Sequence, residues 1–224
     1  MDLIKAARKK GIRTLSEDDS RKVLETYGIP LVPSHRAEDL EQARQAASSL
    51  GFPVALKGMG SALAHKTESD VVRLNIKNEV ELEQAWKDVK ENAGDKLEAV
   101  LVQRMLHSER EFVAGMNRDP QFGPCVMFGL GGIFTEVLKD VVFRVAPLER
   151  RDALDMMEEI RGRKLLDAFR GQPAVDKEAL VELLLGLGQV GIEHEDIEEI
   201  DVNPILIDGT KPVAVDALVV LKEK

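Results

Sequence analysis

Three oxygen-bearing side chains toward the C-terminal end, Asp201, Asn203 and Asp216, have types and spacing that suit a hard cation. Side chains alternate along a strand, so residues 201 and 203 of IEEIDVNPILI present an acid and an amide oxygen on one face. Asp216 comes from a strand that the turn Asp208-Gly209 pairs back onto the first. Such a donor set suits Mg2+ bridging nucleotide phosphates, with water completing its shell. The plainer account is an ordinary Asx-Pro strand end, because Pro204 follows Asn203.

Two more residues could act on phosphates. Lys57 closes the apolar run PVALK directly before a loop with two glycines, Gly58 and Gly60. An ammonium on a buried stem and the amides of a glycine loop can bind one anion between them, although a lysine there can equally snorkel to water. His65 and Lys66 lie in the same loop, flanked by Thr67, Glu68 and Asp70. A histidine so placed is either polar filler or a nucleophile and proton carrier on a moving arm, oriented by a nearby carboxylate. The GxxxxGK[ST] phosphate loop is absent.

The elements that must position these groups follow from pattern. SEDDSRKVLETYG predicts a helix capped by Ser16 and ended by Gly28, and AEDLEQARQAASSLG a second one closed by Gly51. FPVALKG and VVRLNI read as strands around the His65 loop, Asn78 with Glu81 opens a third helix ending near Gly94, and EAVLVQRML is a buried strand. This alternation is the mark of an α/β lobe, set at residues 1–104. A second lobe, 105–224, opens with the strand EREFVAGMNRD and holds helices at about 148–160 and 176–190.

Between them runs GPCVMFGLGGIFTEVLKDVVFRVAP, read as three strands around the glycines Gly129, Gly131 and Gly132. Three glycines in four positions indicate positive φ, or something approaching too closely for a Cβ. The polar residues Glu136, Lys139, Asp140 and Arg144 in these runs are expected to face a cleft or to form specific pairs.

Composition narrows the partners. The 224 residues carry a net charge of −9, with 44% hydrophobic and 32% charged residues. That balance fits a globular protein and disfavours nucleic acid, which needs a concentrated basic face. RGRK at residues 161–164 is the densest basic run and reads as a solvated helix end. No segment is long and apolar enough to span a membrane, and the N-terminus lacks a secretory pattern, so a cytoplasmic protein is expected. A single cysteine, Cys125, forms no internal disulfide and leaves no cysteine-based metal site.

Taken in order, PVALKG, HKTESDVV, LVQRM, EFVAGMNRDPQFGP, VMFGLGGIFTEVLKDVVFRVAPL, IRGRKLLDAFRG and EEIDVNPILI with AVDAL resemble the ATP-grasp domain of nucleoside-diphosphate-forming acyl-CoA synthetases. The resemblance runs from about Gly11 to Val220 and is nearest to the separate β subunit of the ADP-forming acetyl-CoA synthetases. It implies an ATP-grasp fold of two α/β lobes with ATP or ADP and Mg2+ between them. Lys57 would contact phosphates, Gln103, Arg104 and Met105 would bracket adenine at the hinge, and Glu111 or Glu109 would lie near the ribose. Asn203 and Asp216 match the Mg2+ ligands, with Asp201 standing where relatives often have Glu, Arg144 would be a phosphate neighbour, and His65 would be the residue that carries a phosphoryl group. Ser69-Asp70 stands where the family loop has a glycine pair. The resemblance further implies a CoA-binding α subunit that selects the acyl-CoA or carboxylate, in a heterotetramer. This chain has no GxGxxG dinucleotide unit of its own. A nucleotide-sensing module serving a protein acyltransferase, or a non-catalytic interaction subunit, is the alternative.

Overall fold

The structure, a computed structural model, describes residues 2–60, 63, 71–132 and 139–223. The helices start and stop where their local chemistry requires. α1 (Asp2–Lys9) buries Ile4 and Ala7. In α2 (Glu17–Glu25) the Ser16 side chain accepts from Asp19 N, supplying one of the partners a helix N-terminus lacks. α3 (Leu40–Leu50) and α4 (Glu79–Ala93) are capped in the same way by Asp39 and Asn78, and Gly51 and Gly94 end them at positive φ. α5 (Arg150–Glu159) opens on a reciprocal pair between Glu149 and Asp152, and α6 (Lys177–Glu193) on Asp176. Asp176 also pairs with Lys211, and those contacts hold its carboxyl below the usual range.

The chain forms two compact units, one of residues Val32–Leu106 and one of Met1–Leu31 with His107–Lys224. The smaller has a four-stranded antiparallel sheet of β1 (Ser34–Ala37), β2 (Val54–Met59), β3 (Val72–Ile76) and β4 (Ala99–Arg104), in the order β1-β4-β2-β3. Each helix connects two strands that run the same way with a third between them, giving two split strand–helix–strand crossovers. Val54, Leu56, Val100 and Val102 point to α3 and α4 and close a core around Leu82, Trp86 and Val89.

The larger unit is built on β5 (Glu111–Asp119), β6 (Gly123–Leu130), β7 (Val141–Val145), β8 (Ile197–Asp208), β9 (Lys211–Ala214) and β10 (Ala217–Leu221). Their order is β10-β8-β5-β6-β7, with β9 also on β8, and every pairing is antiparallel. One face of this sheet, with Ala114, Met116, Val126, Phe128, Ile200 and Val202, joins residues of α1, α2, α5 and α6 in one continuous core. Among the described residues no helix of the unit covers the other face.

The structure departs from the expected lobe boundary at the N-terminus. Residues 1–31 join the second lobe, because the segment before α2 closes the free edge of β10. Leu15 N donates to Val219 O (3.0 Å), Leu221 N to Arg13 O (2.7 Å), and Val219 N to Ser20 Oγ (3.1 Å). At the other end the expected division after residue 104 lies two residues from the observed one. α1 itself was not read from the sequence, since eight residues make only about two turns, too short a run for a pattern to stand out. Among the described residues no helix is long and apolar enough to cross a membrane.

The glycine cluster is crowded by main chain. A Cβ at Gly129 would lie 2.3 Å from Asp140 O, and one at Gly131 2.9 Å from Phe112 O. At Gly132, φ is +64° and a Cβ would come within 2.6 Å of Glu111 Oε2. Gly129 and Gly131 therefore admit the main chain of a neighbouring strand, while Gly132 takes the positive φ and leaves room for the Glu111 carboxylate. Glu136 and the run FTEVL fall outside the described residues.

Candidate active site

The uncovered face of the larger sheet carries the acids. Along β8, Ile200 and Val202 turn inward while Glu199, Asp201 and Asn203 turn outward. Asp201 lies between Gly115 of β5 and Leu218 of β10 in the register. A Cβ at Gly115 would come within 2.5 Å of Ile200 O, so glycine is what lets β5 approach β8 this closely beneath the acid.

Asp216 reaches the same place by a break in the strand. β9 pairs with residues 205–208 and β10 with residues 197–202, which leaves Val215-Asp216 opposite Asn203-Pro204. The break is pinned on both sides. Val215 N donates to Pro204 O (2.9 Å), and Arg21 Nη1 of α2 donates to Val215 O (3.2 Å). Residues thirteen apart in sequence thus become register neighbours. Burial first, then the charges of Glu199 and Asp216, raise the Asp201 carboxyl above its ordinary range. Like charges held together in this way are what a dication relieves.

The fit to Mg2+ follows from the donor set. Among the described residues no group of three or more His, Cys, Asp or Glu side chains suits a metal by itself. Two carboxylates and an amide oxygen fall short of a complete cage, and Mg2+ ordinarily takes one or two carboxylates together with substrate phosphates. The residues present fit that mode.

Glu111 opens β5 in the same unit. Gly131 N donates to its carbonyl (2.9 Å), and its carboxylate lies against Gly132, so the glycine turn sets the space the acid occupies. Glu109 is exposed nearby in sequence. Asp140, buried, accepts from Arg161 N and Gly162 N at 2.8 Å each and ties the start of β7 to the RGRK segment. That segment is a 3-10 turn held by a carboxylate, as expected of two adjacent unpaired amides. Arg144 stands apart. It sits opposite Val126 on the helix-covered face and pairs with Glu159 of α5, so the geometry does not bring it to the acids.

In the smaller unit, Lys57 and Gln103 are buried diagonal neighbours on β2 and β4, with Lys57 opposite Leu101 and Gln103 opposite Ala55. Both lie on the face away from α3 and α4. Arg104 N and Met105 N donate to Pro33 O (3.0 Å) and Pro53 O (3.1 Å), so these two amides are not the ones offered to a base. The unit ends one residue later, at Leu106. His65 and its neighbours Lys66, Thr67, Glu68 and Asp70 fall outside the described residues.

Sequence pattern alone missed Gly115 and Arg21, whereas Asp140 makes the specific pairs expected of it. Arg21 was visible in principle, as a cation three residues before Leu24 on the buried side of α2.

The chain is similar to known proteins along nearly its whole length. A family model described as an ATP-grasp domain matches residues 6–221. The β subunit of ADP-forming acetate–CoA ligase I from Pyrococcus furiosus is 41% identical over 214 residues, covering 93% of this chain and 92% of that protein. ADP-forming acetate–CoA ligase I of Archaeoglobus fulgidus is 39% identical over 207 residues, 90% of this chain but 30% of that longer protein. Among solved structures, the acetyl-CoA synthetase 1 of Ca. Korarchaeum cryptofilum with coenzyme A and Mg-AMPPCP, its phosphohistidine segment pointing towards the nucleotide site, superposes with a TM-score of 0.86. It is 40% identical and covers 99% of both chains. The chain therefore belongs to the ATP-grasp family, among the β subunits of the ADP-forming acetate–CoA ligases.

Proposed function

We propose that this chain is the nucleotide-binding subunit of an ADP-forming acyl-CoA synthetase, which interconverts acyl-CoA, phosphate and ADP with carboxylate, CoA and ATP. The observation that carries the reading is the convergence of Asp201, Asn203 and Asp216 at one point of an uncovered sheet face. Asp201, Asn203 and Asp216 would hold Mg2+, which neutralises phosphate charge when bound. Lys57 adds a cation for the phosphates, Gln103 to Met105 form the adenine side, and Glu111, set by Gly132, meets the ribose. Phosphoryl transfer depends mainly on positioning and charge neutralisation, so these groups suffice without an unusual base.

His65 takes the phosphoryl group in our reading. Its ring nitrogen, neutral near physiological pH, is nucleophilic; it bonds phosphorus as the bond to the other phosphoryl donor breaks, and the reverse step returns the group to ADP. The acyl and CoA chemistry belongs to an α subunit, in a heterotetramer and in the cytoplasm, where ATP and CoA are supplied. Relatives in which this domain is 30% of a longer chain support such a partner.

The test uses the full chain with its α subunit. His65→Ala is expected to keep MgADP affinity within about twofold while ATP formation from acyl-CoA falls below detection. Acid-labile label from γ-labelled ATP should appear on the wild-type chain and vanish in the variant. Wild-type turnover by the variant would favour the nucleotide-sensing module instead.

A further inference from the structure

The buried cation of α2 has no place in the nucleotide chemistry above, yet it reaches the strand break that carries Asp216. Arg21 is only 3% exposed, and its neighbours Ser20, Val23 and Leu24 are buried as well. Burying a guanidinium is costly unless its donors are used, and an apolar side chain would close a helix–sheet contact at less cost. Its Nη1 donates to Val215 O at 3.2 Å, whereas the ion pair with Glu17, one turn back, is long at 3.9 Å.

Val215 is the residue at which the pairing of β8 passes from β9 to β10. A strand break forfeits ladder hydrogen bonds, and at Val215 only the N–H still reaches β8 while the carbonyl is satisfied from α2. Its N–H goes to Pro204 O at 2.9 Å and its carbonyl to Arg21. One residue earlier, Ser20 Oγ takes Val219 N at 3.1 Å, so consecutive residues of α2 grip β10 on both sides of Asp216. Burial lowers the proton affinity of the guanidinium, and the carboxylates of Glu17, Glu25, Asp216 and Asp18 offset only part of that.

We propose that Arg21 is a positioning residue of the metal site, holding the peptide before Asp216 so that this carboxylate stands opposite Asn203. The inference rests on the metal reading above and adds to it a residue that touches neither metal nor nucleotide. Groups that orient a ligating carboxylate commonly change metal affinity by about 10–100-fold when removed.

The experiment titrates Mg2+ against ADP binding by calorimetry on the full chain, with ADP affinity in chelator as internal reference. Arg21→Met is expected to raise the Mg2+ concentration at half-effect about tenfold, leaving metal-free ADP affinity unchanged. Arg21→Lys, which keeps the charge but not the fork of donors, should raise it about threefold. Ser20→Ala should lower the melting temperature without moving the Mg2+ titration. Should Arg21→Met not fold, the lysine variant decides, and a wild-type Mg2+ titration in it overturns the proposal. Equal losses of affinity with and without Mg2+ overturn it too, since they report general loosening. Asp216→Ala separates the two readings. If it leaves the Mg2+ response intact, the metal assignment itself fails, whereas a lost response there with unaltered Arg21 variants removes only the positioning role.

Discussion

Asp201 bears a cost in the metal-free protein. Its carboxyl is raised by burial and then by Glu199 and Asp216, so the folded state holds its proton more tightly than the unfolded chain does. The sign follows by linkage: stability is lost as pH rises from the ordinary carboxylate range through the folded value, and it stays lost above. Asp201→Asn is expected to melt about 2–4 °C higher than wild type at pH 7 in chelator, for a gain of order 1 kcal/mol. The difference should close below about pH 4, and the variant should no longer be stabilised by Mg2+ with ADP. His194 shows the opposite sign. Burial lowers its pKa against the pull of Glu193, and its Nε2 lies 2.8 Å from the Tyr27 hydroxyl. Burial first, then the hydrogen bond to Glu193, pushes that hydroxyl up to about 12. A ring kept neutral contributes stability above its unfolded pKa that is lost on acidification. His194→Gln should therefore flatten the melting-temperature profile below about pH 6.5.

At the scale of elements, the buried carboxylate between β7 and the RGRK turn has the clearest energetic role. Asp140→Ala orphans the amides of Arg161 and Gly162, at a cost on the order of 2–4 kcal/mol for two lost partners. Asp140→Asn keeps one acceptor and should cost less; urea midpoints at constant slope would show the difference. Gly132→Ala is expected to lower nucleotide affinity more than stability, because its Cβ would displace the Glu111 carboxylate. Such local features explain how much was legible beforehand. Ser16 with Asp19, Asn78 with Glu81, and the closing glycines 28, 51 and 94 act within a few residues, so their signals survive without tertiary context. The shared face of Asp201 and Asn203 was legible as well, since alternation along a strand places residues 201 and 203 together. The break at Val215-Asp216, the grip of Arg21 and the seating of residues 1–31 on β10 were not. The grip and the seating depend on partners about 194–208 residues away in sequence, and the break on the register of three strands, none of which a local pattern encodes. Arg144 was misjudged for a related reason: its face depends on the β6–β7 register, not on its neighbours in sequence.

For the whole molecule, the division into one continuous and one discontinuous unit sets what each part can do alone. The continuous unit has its own core around Leu82 and Trp86, and fragment 32–106 is expected to melt cooperatively by circular dichroism. Fragment 107–224 lacks the segment that seals β10, so it should aggregate, and adding the peptide 1–31 should restore solubility. Aggregation that the peptide does not relieve would show that the edge of β10 is not the vulnerable feature.

The sealing of β10 by residues 13–15 and Ser20 also has a consequence in time. A ribosome releases α1 and α2 before any strand they will cover exists, and β10 follows them by roughly 200 residues. The smaller unit can mature on the emerging chain, while the larger one must wait for its two distant ends to meet. During that interval α1 and α2 expose Ile4, Ala7, Val23 and Leu24 with nothing to bury them. Residues 1–31 therefore stay adhesive until β10 has been made, and a chaperone that shields them over that interval protects a segment with no part in binding nucleotide.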